Sequence, residues 1–195
     1  MNFAVLASGN GSNLQAILDA RKQGRINGEL RLVFSDKADA LALERARAAG
    51  VKAVVSRRPA DYPSREAFDT ELVDILNKEK IGLVVLAGYM RILSPVVIKA
   101  FPDRIINIHP ALLPAFKGAH AVKDALAAGV KVTGVTVHFV DEEVDHGAVI
   151  EQVEVKVKRG DTLETLLPRI HEAEHKLYPK VVDLFLRGKI RAQQR

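Results

Sequence analysis

The 195 residues contain no cysteine, no tryptophan and few aromatics of any kind, 5% in all. Without cysteine there is no disulfide, no thiolate nucleophile and no thiol ligand for a metal, and a cytoplasmic address is the simplest expectation. No apolar run approaches the roughly 20 residues that a membrane-crossing helix needs. The opening Met1-Asn2-Phe3-Ala4-Val5-Leu6 lacks the basic segment of a secretory leader and enters a strand directly. Charge of one sign is missing too: 29 Lys and Arg are interspersed with 24 Asp and Glu, leaving a net +5. That surplus suits an anionic small molecule and is too diffuse for a nucleic-acid surface. Internal repeats, low-complexity tracts and long linkers do not occur. What is present, 48% apolar and 27% charged residues, is the balance of a globular chain able to bury one ample core.

Strand and helix patterns alternate from the start. Phe3–Ala7, Leu30–Phe34, Ala53–Val55 and Leu83–Ala87 read as strands. Between them, Asn13–Gln23, Ala40–Ala48 and Arg65–Lys80 carry apolar residues at helical spacing. The unbroken run at 83–87 is typical of a central parallel strand covered on both faces, and the alternation points to a doubly wound sheet. The second half differs. After a helix at 120–128 closed by Gly129, Lys131–Val140 alternates, with Val135, Val137 and Phe139 opposite Thr136 and His138. It is followed by a strand at Val149–Val157 that can pair with it. Asp161 and Glu164 have the spacing of a capping box for a long final helix. Pro168 and Pro179 are expected to bend or interrupt that helix, and the basic tail beyond Gly188 to fray.

Several clusters carry chemistry. Asn107-Ile108-His109-Pro110 ends an apolar strand, so Asn107 and His109 project to one side and Pro110 stops the strand. The bland alternative is a turn-capping Asn beside a hydrogen-bonded core His. Asp145-His146-Gly147 offers a carboxylate in a short loop, or simply a turn; His138 reads as structural and His146 has no evident role. Amide, imidazole and carboxylate together suit a carbonyl whose oxygen becomes an anion. Gly9-Asn10-Gly11-Ser12-Asn13 joins the first strand to the first helix, where backbone N–H groups and a hydroxyl can hold a phosphate. Alternatively it is a tight turn capped by Ser12 or Asn13. Leu14 occupies the third small-residue position of a dinucleotide fingerprint, so a nicotinamide enzyme using Asp36 is a weaker alternative.

His171-Glu172-Ala173-Glu174-His175 matches the His-Glu-x-x-His zinc pattern. On the helix, however, Leu163, Leu166, Leu167, Ile170, Leu177 and Val181 define the buried stripe, both histidines lie on its flank, and no third ligand is evident. Glu174 falls within the stripe. A carboxylate there needs a partner, either an internal Arg or a substrate hydroxyl.

Read together, Ala7–Leu14, Leu86–Leu93, Asn107–Pro114, Gly134–Val140 and Asp145–Gly147 resemble the phosphoribosylglycinamide formyltransferases, of the folate-dependent formyltransferase superfamily. The likeness runs through nearly the whole chain and departs mildly, with Ala111 where Ser is usual and His146 where a small residue is usual. It implies a single α/β domain over 1–195 with a doubly wound, mostly parallel sheet. A Rossmann-like half (1–110) would bind the ribonucleotide phosphate. The other half (111–195) would supply antiparallel strands, the folate loop and a long C-terminal helix. It implies direct formyl transfer from 10-formyltetrahydrofolate to glycinamide ribonucleotide in purine biosynthesis, without a metal. Asn107, His109 and Asp145 would be catalytic, with Asp145 raising the imidazole pKa. Gly11, Ser12 and Asn13 would bind the phosphate and Glu174 the ribose. Arg65, Met90, Arg91, Ile92, Leu93, Val140, Asp141 and Asn107 would contact the folate, though Ile92 and Leu93 otherwise read as core. Partners would be small molecules only, with neither nucleic acid nor membrane, in a monomer or homodimer. Alternatives are a 10-formyltetrahydrofolate hydrolase, disfavoured because such enzymes carry a further N-terminal domain, and a zinc hydrolase using His171 and His175.

Overall fold

In the computed structural model, which describes residues 1–190, alternate residues of the same strands serve two separate cores. Phe3 and Val5 of β1 (Asn2–Leu6) join one cluster, and Ala4 and Leu6 join the other. Helices therefore cover both faces, which is why the strand segments are apolar without interruption. The first face packs under α1 (Ser12–Lys22), α2 (Leu41–Ala48) and the long α6 (Leu163–Leu186). The second packs under α3 (Arg65–Lys78) and α4 (Pro95–Ala100), the latter a short helix absent from the sequence reading.

The remaining strands are β2 (Glu29–Ser35), β3 (Lys52–Val55), β4 (Leu83–Leu86), β5 (Ile105–His109), β6 (Val132–Phe139) and β7 (Val149–Lys156), with α5 (Ala121–Ala127) before β6. The sheet order is β3-β2-β1-β4-β5-β6-β7. The first five strands run parallel, and β6 and β7 are antiparallel. The chain winds outward from β1 to β3 and returns to β4 on the other side of β1. Connections diverge there, leaving a crevice at the carboxyl ends of the central strands. The first loop opens onto it after β1, and His109 ends β5. Only β4 lies between those strands, so the two ends are about 10 Å apart in the sheet.

Two expectations about α6 are corrected. Neither Pro168 nor Pro179 interrupts it, although each removes a backbone hydrogen bond at a cost of about 3 kcal/mol. Burial offsets that cost: Leu166, Ile170, Leu177, Val181, Val182 and Phe185 all pack into the first core. The helix is also anchored through Tyr178, whose buried hydroxyl reaches the carbonyls of Leu86 (2.7 Å) and Ile106 (3.1 Å) and so ties β4 to β5 beneath the crevice. The N-cap is shifted by one residue from the Asp161/Glu164 pair: Thr162 precedes the helix, its N–H donating to Thr165 Oγ1 at 2.9 Å. The expected fraying of the tail concerns residues that lie partly outside the described ones. Among the described residues no helix is long and apolar enough to cross a membrane.

Candidate active site

Asn107 and His109 project from the face of β5 opposite Ile106 and Ile108. Antiparallel pairing sets Asn107 against His138 and His109 against Thr136, and directly paired residues share a face. The polar alternate positions of β6 therefore meet the polar end of β5. Asn107 Nδ2 lies 3.2 Å from His138 Nε2, while His138 Nδ1 lies 2.7 Å from the Phe139 carbonyl. The carbonyl can only accept, so His138 donates its Nδ1–H to it, and in the neutral ring Nε2 accepts from the Asn107 amide. One of the two amide protons of Asn107 is thereby committed and the second is left over.

The loop between β6 and β7 brings in Asp145. Its Oδ2 stands 3.3 Å from His109 Nδ1 and accepts from the Gly118 N–H at 2.8 Å; Oδ1 is 3.6 Å from His138 Nε2. Asp145 sits at φ 50, in a loop folded tightly against β6. A Cβ on Gly147 would lie 1.9 Å from the Phe139 carbonyl oxygen, which explains the glycine of the Asp-x-Gly pattern. Because backbone cannot rotate out of such a clash, Gly147→Ala is expected to lose about 1–3 kcal/mol or more of stability. An unchanged urea midpoint would show that the loop does not depend on this approach.

The segment after β5 closes over the imidazole. His109 Nε2 donates to the Phe116 carbonyl at 2.8 Å, and the same segment is pinned to β6 by Leu113 N–H donating to Thr136 Oγ1 (3.0 Å). His109 is only 4% exposed, and that burial pulls its pKa below the ordinary histidine value. The Phe116 carbonyl and the Asp145 charge push upward, and the charge of His138 pushes down again. Asp145 thus raises this pKa by its charge, as expected, while desolvation is the larger effect and sets the net direction. For Asp145 the balance is reversed. Burial pushes it up, but His138, the Gly118 amide and the charges of His109 and His138 together hold it at about 2.

At the end of β1, Gly11 adopts φ +74 and stands as the N-cap of α1 with no side-chain cap, so neither Ser12 nor Asn13 caps the helix. Asn13 Nδ2 donates to Glu174 Oε2 at 3.0 Å, and Asn13 Oδ1 is buried without a partner. The partner required by Glu174 is therefore Asn13 rather than an arginine. Glu174 is 6% exposed; burial raises its pKa against the opposing effects of the Asn13 amide and the His171 charge.

Residues 1–182 match the sequence profile of the formyl transferase family. The chain belongs to that family. It is 46% identical over 194 residues to the phosphoribosylglycinamide formyltransferase of Escherichia coli (strain K12), covering 100% of this chain and 91% of the relative. With the Bacillus subtilis (strain 168) enzyme of the same name the identity is 44%, covering 94% of each chain. The crystal structure of glycinamide ribonucleotide transformylase 1 from Symbiobacterium toebii superposes with a TM-score of 0.94 at 53% identity, covering 96% of this chain and 88% of that one.

Other residues of the formyl transferase chain fall less uniformly. Met90 and Ile92 are 69% and 57% exposed just beyond β4, so Ile92 is not core, whereas Leu93 is buried. The Met90 N–H donates to Ser8 Oγ, which itself donates to Asp36 Oδ1 at 2.6 Å; Asp36 buttresses this turn. The Arg91 guanidinium lies 4.3 Å from the centre of the Phe68 ring with Nε buried and unpartnered. Val140 is half-buried, and Asp141 accepts from His146 Nδ1 at 2.9 Å. Arg65 pairs with Glu66 at 3.7 Å, with no hydrogen bond or ion pair to the cluster among the described residues. His171 and exposed Glu172 lie at the surface, Glu172 pairing with Lys176, while His175 stacks on His171 at 6.1 Å, half-buried with Nε2 unpartnered. Among the described residues no group of three His, Asp or Glu converges as metal ligands. His138 is the residue that sequence reasoning missed. Its signal was the alternation of β6, readable only once the register against β5 is known.

Proposed function

We propose that this formyl transferase moves a formyl group from 10-formyltetrahydrofolate to the amine of glycinamide ribonucleotide, in purine biosynthesis and in the cytoplasm. The observation that carries this reading is the Asn107–His109–Asp145 cluster at the carboxyl end of β5 in a chain 46% identical, over its full length, to a phosphoribosylglycinamide formyltransferase.

Residues 1–110 supply the phosphate half: Gly11, Ser12 and Asn13 present N–H groups and polar side chains at the uncapped start of α1. Glu174, already joined to Asn13, takes the ribose hydroxyls. Exposed Met90 and Ile92 flank Arg91, whose guanidinium lies on Phe68 of α3, the helix that Arg65 begins; together they suit a flat apolar ring with a carboxylate tail, and Val140 and Asp141 border it. The folate supplies the formyl carbon when bound. The uncommitted N–H of Asn107 then donates to the formyl oxygen as negative charge develops there. His109 exchanges the Phe116 carbonyl for substrate at Nε2 and stabilises the same charge; as the amine–carbon bond forms and the folate N–carbon bond breaks, it protonates the leaving nitrogen and is restored by the proton that the amine sheds. Asp145 stays ionised throughout and favours the protonated imidazole. With no cysteine, the transfer is direct, without a formyl-enzyme intermediate and without a resident metal.

The deciding experiment measures folate product from 10-formyltetrahydrofolate with and without glycinamide ribonucleotide. Product is expected only with the ribonucleotide. Equal rates in its absence would make the chain a hydrolase.

A further inference from the structure

We propose that Arg45 on α2 is a positioning residue that holds the first loop in its phosphate-binding shape. This rests on the reading that Gly11–Asn13 receive the ribonucleotide phosphate. The loop contains no lysine or arginine of its own, yet one guanidinium grips it from outside. Arg45 Nε donates to the Asn10 carbonyl at 2.8 Å, Nη2 to Asn10 Oδ1 at 3.1 Å and Nη1 to Gln15 Oε1 at 3.0 Å. All three nitrogens are engaged, joining the loop to the second turn of α1. Arg45 therefore acts through the loop rather than by touching the phosphate.

The geometric consequence lies in the peptide after Asn10. In a trans peptide the carbonyl and the following N–H point in opposite directions. A carbonyl of Asn10 turned toward Arg45 accordingly turns the Gly11 N–H away from α2. The rest of α2 reinforces this placement: Ala42 N–H donates to the Gly9 carbonyl at 3.1 Å. A Cβ on Gly11 would come within 2.9 Å of Ala42. The loop is thus braced along one side by α2 and left with its amides directed to the other. Arg45 adds a fixed positive charge behind them, favourable to an anion. Lysine would keep the charge but could not make three divergent hydrogen bonds from one planar group.

The test varies both substrates in steady-state formyl transfer with the full chain. Arg45→Ala is expected to raise the KM for glycinamide ribonucleotide by about ten- to a hundredfold, with kcat and the KM for 10-formyltetrahydrofolate within about twofold. Arg45→Lys, offered in case the alanine variant folds poorly, is expected to retain most of that defect with an unchanged thermal midpoint. Full recovery by lysine, or equal damage to both KM values and kcat, would overturn the positioning role. Asn13→Ala separates the two levels. If it too leaves the ribonucleotide KM unchanged, the phosphate reading itself has failed. If it raises that KM while Arg45→Ala does not, only the role of Arg45 falls.

Discussion

Asn107→Ala is expected to slow formyl transfer at saturating substrates by about a hundred- to a thousandfold. The expectation follows from the hydrogen-bond count around one amide. In its neutral form His138, with its proton held by the Phe139 carbonyl, presents a lone pair to Asn107 Nδ2, which orients the amide with its NH2 group toward that ring. The second N–H of that group is available where a carbonyl oxygen gains charge, and it needs no reorganisation at that moment. Alanine removes the donor. Asn107 is only half-buried and Ile106 and Ile108 carry the packing of β5, so the fold is expected to survive, checked by the thermal midpoint. A single-turnover rate within tenfold of the unaltered protein would remove Asn107 from the chemistry.

Asp145→Asn is expected to lower turnover by about a hundredfold or more while ribonucleotide binding persists. The substitution keeps size and an acceptor for the Gly118 N–H but deletes the charge 3.3 Å from His109 Nδ1. Burial already holds the His109 pKa below its ordinary value, and Asp145 is one of two influences opposing burial. Without that charge the pKa falls further. The sign follows: protonated His109 is lost as pH rises through its pKa, so the limb of the rate profile that reports the acid moves to lower pH in the variant. Asp145, at about 2, is ionised across the whole working range and contributes no limb. The acceptor amine titrates alike in both proteins, so the difference isolates the carboxylate. Histidine ring-proton NMR titrations check the shift directly. An unmoved His109 midpoint, or lost ribonucleotide binding with an unchanged rate at saturation, would defeat this assignment.

Much of the site was legible from local pattern. Period-two alternation placed Asn107 and His109 on one face, and Pro110 ended their strand. Angular position on α6 put Glu174 in an apolar stripe and the two neighbouring histidines on its flank. These inferences depend on a residue and its near neighbours, which the chain order specifies. Other features had no local signal. Glu174 meets Asn13 across 161 positions of sequence, and Arg45 meets Asn10 across 35. Tyr178 bridges two strands that lie far from it in the chain. The prolines of α6 follow the same rule: their local cost is real, and remote packing outweighs it.

The sequence by itself determined the alternating elements, the strand-end amide and imidazole, the glycine loop and the resemblance that names the chemistry. Only the tertiary structure decided that His138 orients Asn107, that Phe116 and Gly118 close over His109 and Asp145, and that burial outweighs Asp145 at His109. The reason is physical. Side-chain direction along a strand or helix is set by covalent geometry and period, whereas register, desolvation and cross-chain hydrogen bonds exist only once distant segments have packed.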